Sequence, residues 1–249
     1  MTIRPNSNDG VYVLSYGGGV NTTALMIYLI KKEMPLDMVV FADLGSELPE
    51  TYEHLEIAKD YLEKHGIPFK VIKVDVAGGG LYEGCERRKV IPSQLWRWCT
   101  RDYKVKPIFR FYKSLGTHVY QYLGIDYGEI QRVKKSTESY VTNLFPLVDA
   151  KIDRKGCIDL INKEGLPVPV KSGCFFCPFN NLDRWEYIYK NHKDLFDRAI
   201  RLEENSKHFP EQKLNAHPLR ELNDSFSNGR FILEKEKPED NLCDGYCML

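Results

Sequence analysis

Residues 11–23 read VYVLSYGGGVNTT, and this stretch decides the fold. Val11 to Ser15 is a short β-rich apolar run. Three glycines follow at Gly17, Gly18 and Gly19, and the stretch after Asn21, TTALMIYLIKKE, has helical spacing and is closed by Pro35. A strand that passes through glycines into a helix wraps its backbone around an anion, because glycine lets the chain turn tightly and point its N–H groups inward. The positive end of the helix adds to that attraction. The hydroxyls of Ser15, Thr22 and Thr23 are potential donors to phosphate oxygens. No Gly-Lys-Ser/Thr ending is present, so this is not a Walker loop, and the glycine spacing does not fit the dinucleotide fingerprint.

Moving outward, Asp37 to Ala42 (DMVVFA) reads as a second buried strand. Glu50 to His65 reads as an amphipathic helix with Leu55, Ala58, Tyr61 and Leu62 on one face, and Phe69 to Val74 (FKVIKV) as a third strand. Strand–helix alternation with short connections implies right-handed crossovers and a parallel sheet. Further along, the pattern predicts an irregular, glycine-rich segment from Ala77 to Leu95. A helix is expected over Asp102 to Ser114, a strand over His118 to Gly124 and an extended piece over Asn143 to Val148. After residue 150 come a helix (Asp153 to Lys163), a Pro- and Cys-bearing loop (Gly165 to Phe179) and one or two helices (Leu182 to Asn205). The tail after Lys213 shows little periodicity. The expectation is an α/β fold: a nucleotide-binding domain over residues 1–150 and a smaller, helical, cysteine-bearing C-terminal module over 151–249.

Hydrophobic residues make up 43% and charged residues 28% of the 249, and the net charge is zero. Such a balance belongs to an ordinary globular protein with no global field toward nucleic acid or membrane. The opening MTIRPNSNDG lacks the layout of a secretory signal and no apolar run is long enough to span a bilayer, so a cytoplasmic location and no membrane partner are expected. Charge is uneven: between Glu86 and Lys113 bases outnumber acids nine to two, and six aromatics (Trp96, Trp98, Tyr103, Phe109, Phe111, Tyr112) interleave with them. Basic and aromatic side chains together suit nucleic-acid backbone contact and base stacking, although the rings also suit a core. Seven cysteines in a reducing compartment point to metal ligation or thiol chemistry, not to disulfides.

Four blocks besides composition carry chemistry. Gly17 to Thr22 (GGGVNT), Phe41 to Thr51 (FADLGSELPET), Trp98 to Ile108 (WCTRDYKVKPI) and Gly124 to Glu129 (GIDYGE) follow one another in that order. They resemble the phosphoadenosine phosphosulfate reductase-like branch of the PP-loop ATP pyrophosphatases, an adenine nucleotide alpha hydrolase-like, Rossmann-like fold. That branch shows Ser-Gly-Gly-x-Asp-Ser/Thr, Phe-Ala-Asp-Thr-Gly-x-Glu-x-Pro-Glu-Thr, Cys-Thr/Ser-x-x-x-Lys-x-x-Pro-Ile and Gly-Ile-Asp-x-x-Glu. Three positions depart from it: Gly17 stands for Ser, Asn21 for Asp and Leu44 for Thr.

The resemblance implies that ATP is bound by Ser15, Tyr16, Gly17, Gly18, Gly19, Asn21, Thr22 and Thr23, with magnesium. Asp43 then sits near adenosine or metal at the end of its strand, and Lys104 neutralises phosphate. Arg101 is a second cation, and Asp126 holds magnesium or ribose or only forms a turn. Cys174 and Cys177, in KSGCFFCPF, join Cys99 as a set of three thiolates that suits a 4Fe–4S cluster with one open iron, with Cys157 as fourth ligand if the site is closed. A structural zinc bound by four thiolates is the alternative. Cys243 and Cys247 form a further pair in the tail, where the reductases carry Glu-Cys-Gly-Leu-His.

The function implied is an ATP pyrophosphatase, cleaving ATP to AMP and pyrophosphate, that activates an acceptor by adenylation for sulfur insertion. It is most similar to the pyrophosphatase component of bacterial DNA phosphorothioation, with DNA or another nucleic acid as acceptor, a cysteine desulfurase as sulfur donor and other modification proteins as partners. A sulfonucleotide reductase and a non-catalytic, zinc-bearing nucleic-acid-binding module are the alternatives.

Overall fold

The computed structural model describes residues 10–74, 79–207 and 213–229. Its centre is β1 (Val11–Ser15), hydrogen-bonded on one side to β2 (Met38–Asp43) and on the other to β4 (Val119–Leu123). β3 (Phe69–Lys73) extends the sheet beyond β2, and β5 (Val141–Leu144) beyond β4, giving the order β3-β2-β1-β4-β5 with every pair parallel. The chain moves outward in one direction through β3 and restarts on the other side of β1. The carboxyl ends of β1 and β4 therefore part and leave a crevice there.

Both faces of this sheet are covered, which is why β1 and β2 read as continuous apolar runs. Leu14, Val39 and Phe41 face α1 (Val20–Lys31), α2 (Pro49–Lys64) and α7 (Arg154–Lys163) in one core. Val11, Val13, Met38 and Val40 face the opposite way, onto Ile108 and Tyr112 of α5 (Lys106–Ser114). The face of α2 expected to be apolar, Leu55, Ala58, Tyr61 and Leu62, is buried in the first of these cores. The helix expected over Asp153 to Lys163 in the rear module is α7, which packs on α1 with the sheet layer, through Cys157 and Ile161.

A third core joins the sheet's edge to the rear of the chain. Leu44, Leu48 and Val74 meet Phe175 and Phe176 together with α8 (Leu182–Asn191), α9 (Lys193–Glu204) and α10 (Leu219–Ser227). Trp185 and Phe196, fully buried, make an edge-on pair with ring centroids 5.9 Å apart.

Three segments differ from the sequence expectation. Within the stretch expected to be irregular, Leu81–Arg88 forms helix α3, because Leu81, Tyr82 and Cys85 find apolar partners in this third core. The segment after Lys213 contains α10, whose start is capped from a distance: the buried carboxylate of Glu203 in α9 accepts from Leu214 N and Leu219 N, both at 2.7 Å. The extended piece expected over 143–148 is β5 followed by a turn of helix, α6 (Pro146–Asp149), since Pro146 favours a helix start. Cys243 and Cys247 lie outside the described residues.

Candidate functional site: a glycine loop beside a three-thiol pocket

The glycine loop leaves β1 at the crevice. Tyr16 N still donates to Val40 O at 2.8 Å, and the chain then turns through Gly18, whose φ of +74° belongs to the left-handed region open to glycine. Gly19 caps α1 without any side-chain bond, so the first-turn amides of α1 face the loop's mouth with no side-chain acceptor. Both threonines turn inward. Thr22 Oγ1 accepts from Gly17 N at 3.3 Å and donates to Gly19 O at 3.1 Å, while Thr23 Oγ1 also bonds Tyr16 Oη (2.8 Å) and His54 Nε2 (3.0 Å). Tyr16 is core, its phenol pushed up by burial, and Ser15 is buried on the α5 side beside Tyr112. These four side chains shape the loop from behind; its backbone faces the crevice.

Ser172 and Gly124, which lie within two of the quoted blocks but were given no role there, close around the loop. A Cβ on Gly19 would stand 3.1 Å from Ser172 Oγ, so the loop before the Cys174–Cys177 pair roofs the glycines. On the other side, a Cβ on Gly124 would stand 2.6 Å from Thr22 Cγ2 and 2.9 Å from Thr22 N, so β4 and the start of α1 touch backbone to backbone.

Asn21 does not stand alone. Its Nδ2 donates to Asp126 Oδ2 (3.0 Å) and Glu129 Oε2 (3.2 Å), and its Oδ1 accepts from Arg154 Nη1 (3.0 Å). Arg132, 1% exposed, pairs with Glu129 on the far side. An amide at position 21 can satisfy two neighbouring carboxylates; an Asp there would add a third negative charge to the cluster. The sequence block containing Glu129 was legible, but its partners Arg132 and Arg154 carried no local signal.

At the end of β2, half-buried Asp43 accepts through Oδ1 from Gly45 N and Tyr52 Oη, both at 2.9 Å. Four residues on, Glu47 is buried and pairs with Lys104 Nζ at 3.3 Å; the two side chains are 1% and 11% exposed. Glu47 also forms an antiparallel bridge with Cys174, and Phe175 N donates to Ser46 O at 3.0 Å, which pins the cysteine loop to the end of β2.

Lys104 and Cys99 reach the same pocket through an irregular helix. The chain runs from α4 (Trp98–Thr100) through a π-helical turn, Arg101–Val105, into α5. In a regular α-helix, positions five apart point about 140° away from one another. A π turn bonds i to i+5 and lines them up, and such turns recur at functional sites. Cys99, Cys174, Cys177 and Lys104 thus line one pocket with Arg97 and Thr100. Among the described residues no three His, Cys, Asp or Glu side chains close on a single metal ion, whereas one tetrahedral zinc would hold its sulfurs about 3.8 Å apart on 2.3 Å bonds.

Cys157 is not part of this group. It lies in α7, inside the core against α1, and burial pushes its thiol up to about 12; Cys85 in α3 is likewise pushed to about 12. An amphipathic helix buries a cysteine as it would any small apolar residue, and this is what removes Cys157 from the ligand set. Alkylation of the folded protein after removal of bound metal, by iodoacetamide near pH 8 and mapped by peptide mass spectrometry, is therefore expected to mark half-buried Cys99, Cys174 and Cys177 well before Cys85 and Cys157. Labelling of Cys157 as fast as Cys174 contradicts its core placement.

Arg101 is turned outward. It pairs with Asp102 at 2.9 Å, its side chain is 63% exposed, and it borders a separate cleft. Of the six interleaved aromatics, Tyr103 and Tyr112 are buried, while Trp96 is 71% exposed. Among the described residues no helix is long and apolar enough to cross a membrane.

Residues 11–125 match the family model of the phosphoadenosine phosphosulfate reductase domain. No curated protein matches the chain. Among solved structures it is similar to the phosphoadenylyl-sulfate reductase of Candida auris in its phosphate complex, at 17% identity and a TM-score of 0.47, over 65% of this chain and 76% of that one. It is also similar to the U34-tRNA thiolase NcsA of Methanococcus maripaludis with its 4Fe–4S cluster, at 18% identity and a TM-score of 0.49, over 87% and 81%. The glycine loop, Asp43, Lys104 and strands β1 to β4 fall within the span that matches this family model.

Proposed function

We propose that the protein is an ATP pyrophosphatase that activates a nucleic-acid acceptor by adenylation for sulfur insertion, with DNA phosphorothioation as the leading system. The observation that carries this reading is the position of Lys104. It lines the three-thiol pocket and is paired with Glu47, four residues beyond Asp43 at the end of β2, which supports a role for this cation beside both the strand end and the thiols.

In this reading the backbone amides of residues 17–22 hold the β and γ phosphates, and Lys104 balances the charge that develops as pyrophosphate departs. An acceptor oxygen attacks the α phosphorus, the bond to the β-phosphate oxygen breaks, and the acceptor carries AMP. A sulfur nucleophile delivered from a desulfurase then displaces AMP, forming the carbon–sulfur or phosphorus–sulfur bond. The chain contributes alignment and charge, not covalent chemistry. The Asp43 carboxylate suits magnesium, a hard cation that takes carboxylate together with phosphate oxygens. Cys99, Cys174 and Cys177 around one pocket suit a 4Fe–4S cluster, whose cysteine ligands sit on separate irons. Such a cluster, when bound, supplies an open iron for an external sulfide.

Incubation with α-labelled ATP, a mixed nucleic-acid acceptor and sulfide is expected to yield AMP and pyrophosphate, and the sulfonucleotide to yield no sulfite. Sulfite release would instead identify a reductase. Anaerobically purified protein is expected to be brown, and Cys174→Ser to bleach it; a colourless protein with stoichiometric zinc refutes the cluster.

A further inference from the structure

A second and larger opening adjoins the thiol pocket. This cleft, of about 400 Å3, is walled on one side by Trp96, Arg97 and Arg101 and on the other by Lys134 and Lys135, with no carboxylate among the described residues that line it. Its size is in the range that holds a nucleotide-sized group. Arg97 and Thr100 line both openings, so the two are neighbours that share a wall. Lys134 and Lys135 are exposed, and Trp96 is 71% exposed beside Leu95 at 90%. Protein partners favour interfaces depleted in lysine, whereas an exposed indole among bases is what a groove for unpaired nucleic acid presents: a face for a base and cations for its phosphates.

We propose that this cleft receives the acceptor as a nucleic-acid strand with an unpaired nucleotide. A base stacks on Trp96, flanking phosphates lie on Lys134, Lys135 and Arg101, and the acceptor nucleotide reaches the thiol pocket past Arg97 and Thr100. The assignment rests on reading that pocket as the place of sulfur insertion.

The test uses the full chain and short fluorescein-labelled oligodeoxythymidine and oligouridine strands, read by fluorescence anisotropy over a series of salt concentrations and without ATP. Wild type is expected to bind with marked salt dependence. Lys134→Gln/Lys135→Gln is expected to flatten the slope of log K against log salt by about 1.4, at about 0.7 per phosphate on a single strand. Trp96→Ala is expected to weaken binding about tenfold with the slope unchanged. Preference for one of the two strands identifies the acceptor class and supports the cleft.

Wild type that binds neither strand, variants that bind as wild type does, or a mononucleotide that binds as tightly as a strand each overturns the proposal. Binding is read apart from catalysis. Cleft-dependent strand binding in a protein that makes no AMP sinks the adenylation reading alone; AMP formation with strand binding indifferent to the cleft variants sinks the cleft alone.

Discussion

Lys104→Met is expected to lower the rate of AMP formation by about 10²–10³-fold, the loss typical of removing one preorganised donor from a developing charge. The same substitution is expected to destabilise the protein, because it strands the Glu47 carboxylate, 1% exposed, without the ammonium now 3.3 Å away. Breaking a buried ion pair from one side costs about 3–5 kcal/mol, while removing both charges together is often close to neutral. The double variant Glu47→Gln/Lys104→Met therefore separates two roles. Its melting temperature is expected to return near the wild-type value, and its AMP formation to stay as low as in the single variant. Recovery of activity along with stability would mean that Lys104 only neutralises Glu47 and does not meet phosphate. Calorimetry of the three proteins, with a radiolabelled ATP assay on each, decides between these outcomes.

Gly124→Ala is expected to have the second-largest effect. The added methyl would stand 2.6 Å from Thr22 Cγ2, 2.9 Å from Thr22 N and 3.1 Å from Thr22 Cα. Two of these atoms are backbone, so no rotamer change relieves the clash, and β4 and the start of α1 must move apart. Overpacking of this kind costs about 1–3 kcal/mol, which in a chain of this size lowers the melting temperature by about 2–4 °C per kcal/mol. More telling is the expected loss of the stabilisation by ATP, since the displaced residue opens the turn that holds the phosphates. Gly165→Ala is the control. It sits at φ +74° past the end of α7 with nothing within 4 Å of its Cβ position, so it loses about 1–2 kcal/mol to backbone strain but keeps the ATP response. Equal ATP-induced shifts in the two variants would show that the β4–α1 contact does not set the loop.

Much of the site was legible because it is local. The strand, glycines and helix of residues 11–31 follow one another, and their roles come from backbone conformation and the helix end, which a short stretch specifies. Asp43 and Glu47 follow directly from the end of β2, and the Cys174–Cys177 turn is closed by its own bond from Cys177 N to Cys174 O at 3.1 Å. Other residues were misread where local pattern is silent. Cys157 has the same side chain whether it ligates or packs, and only the docking of α7 on α1 makes it core. The threonines of the glycine loop offered hydroxyls for phosphate, yet tertiary contacts with Tyr16 and His54 turned that of Thr23 inward.

The order of strand, glycine loop and helix, the two-sided burial of β1 and β2, and the identity of the acid, the cation and the three thiols are properties of the sequence by itself. They depend on periodicity, on glycine's freedom and on side-chain chemistry, all of which act within a few residues. The tertiary structure alone decided which groups meet. The Asn21–Asp126–Arg154 network and the cleft between Trp96 and Lys134 join segments tens of residues apart, the Glu203 cap that starts α10 spans 16 residues, and the π turn brings Lys104 and Cys99 into the pocket of the distant Cys174 and Cys177. Their energies come from burial and charge pairing across the chain, and no local pattern carries that information.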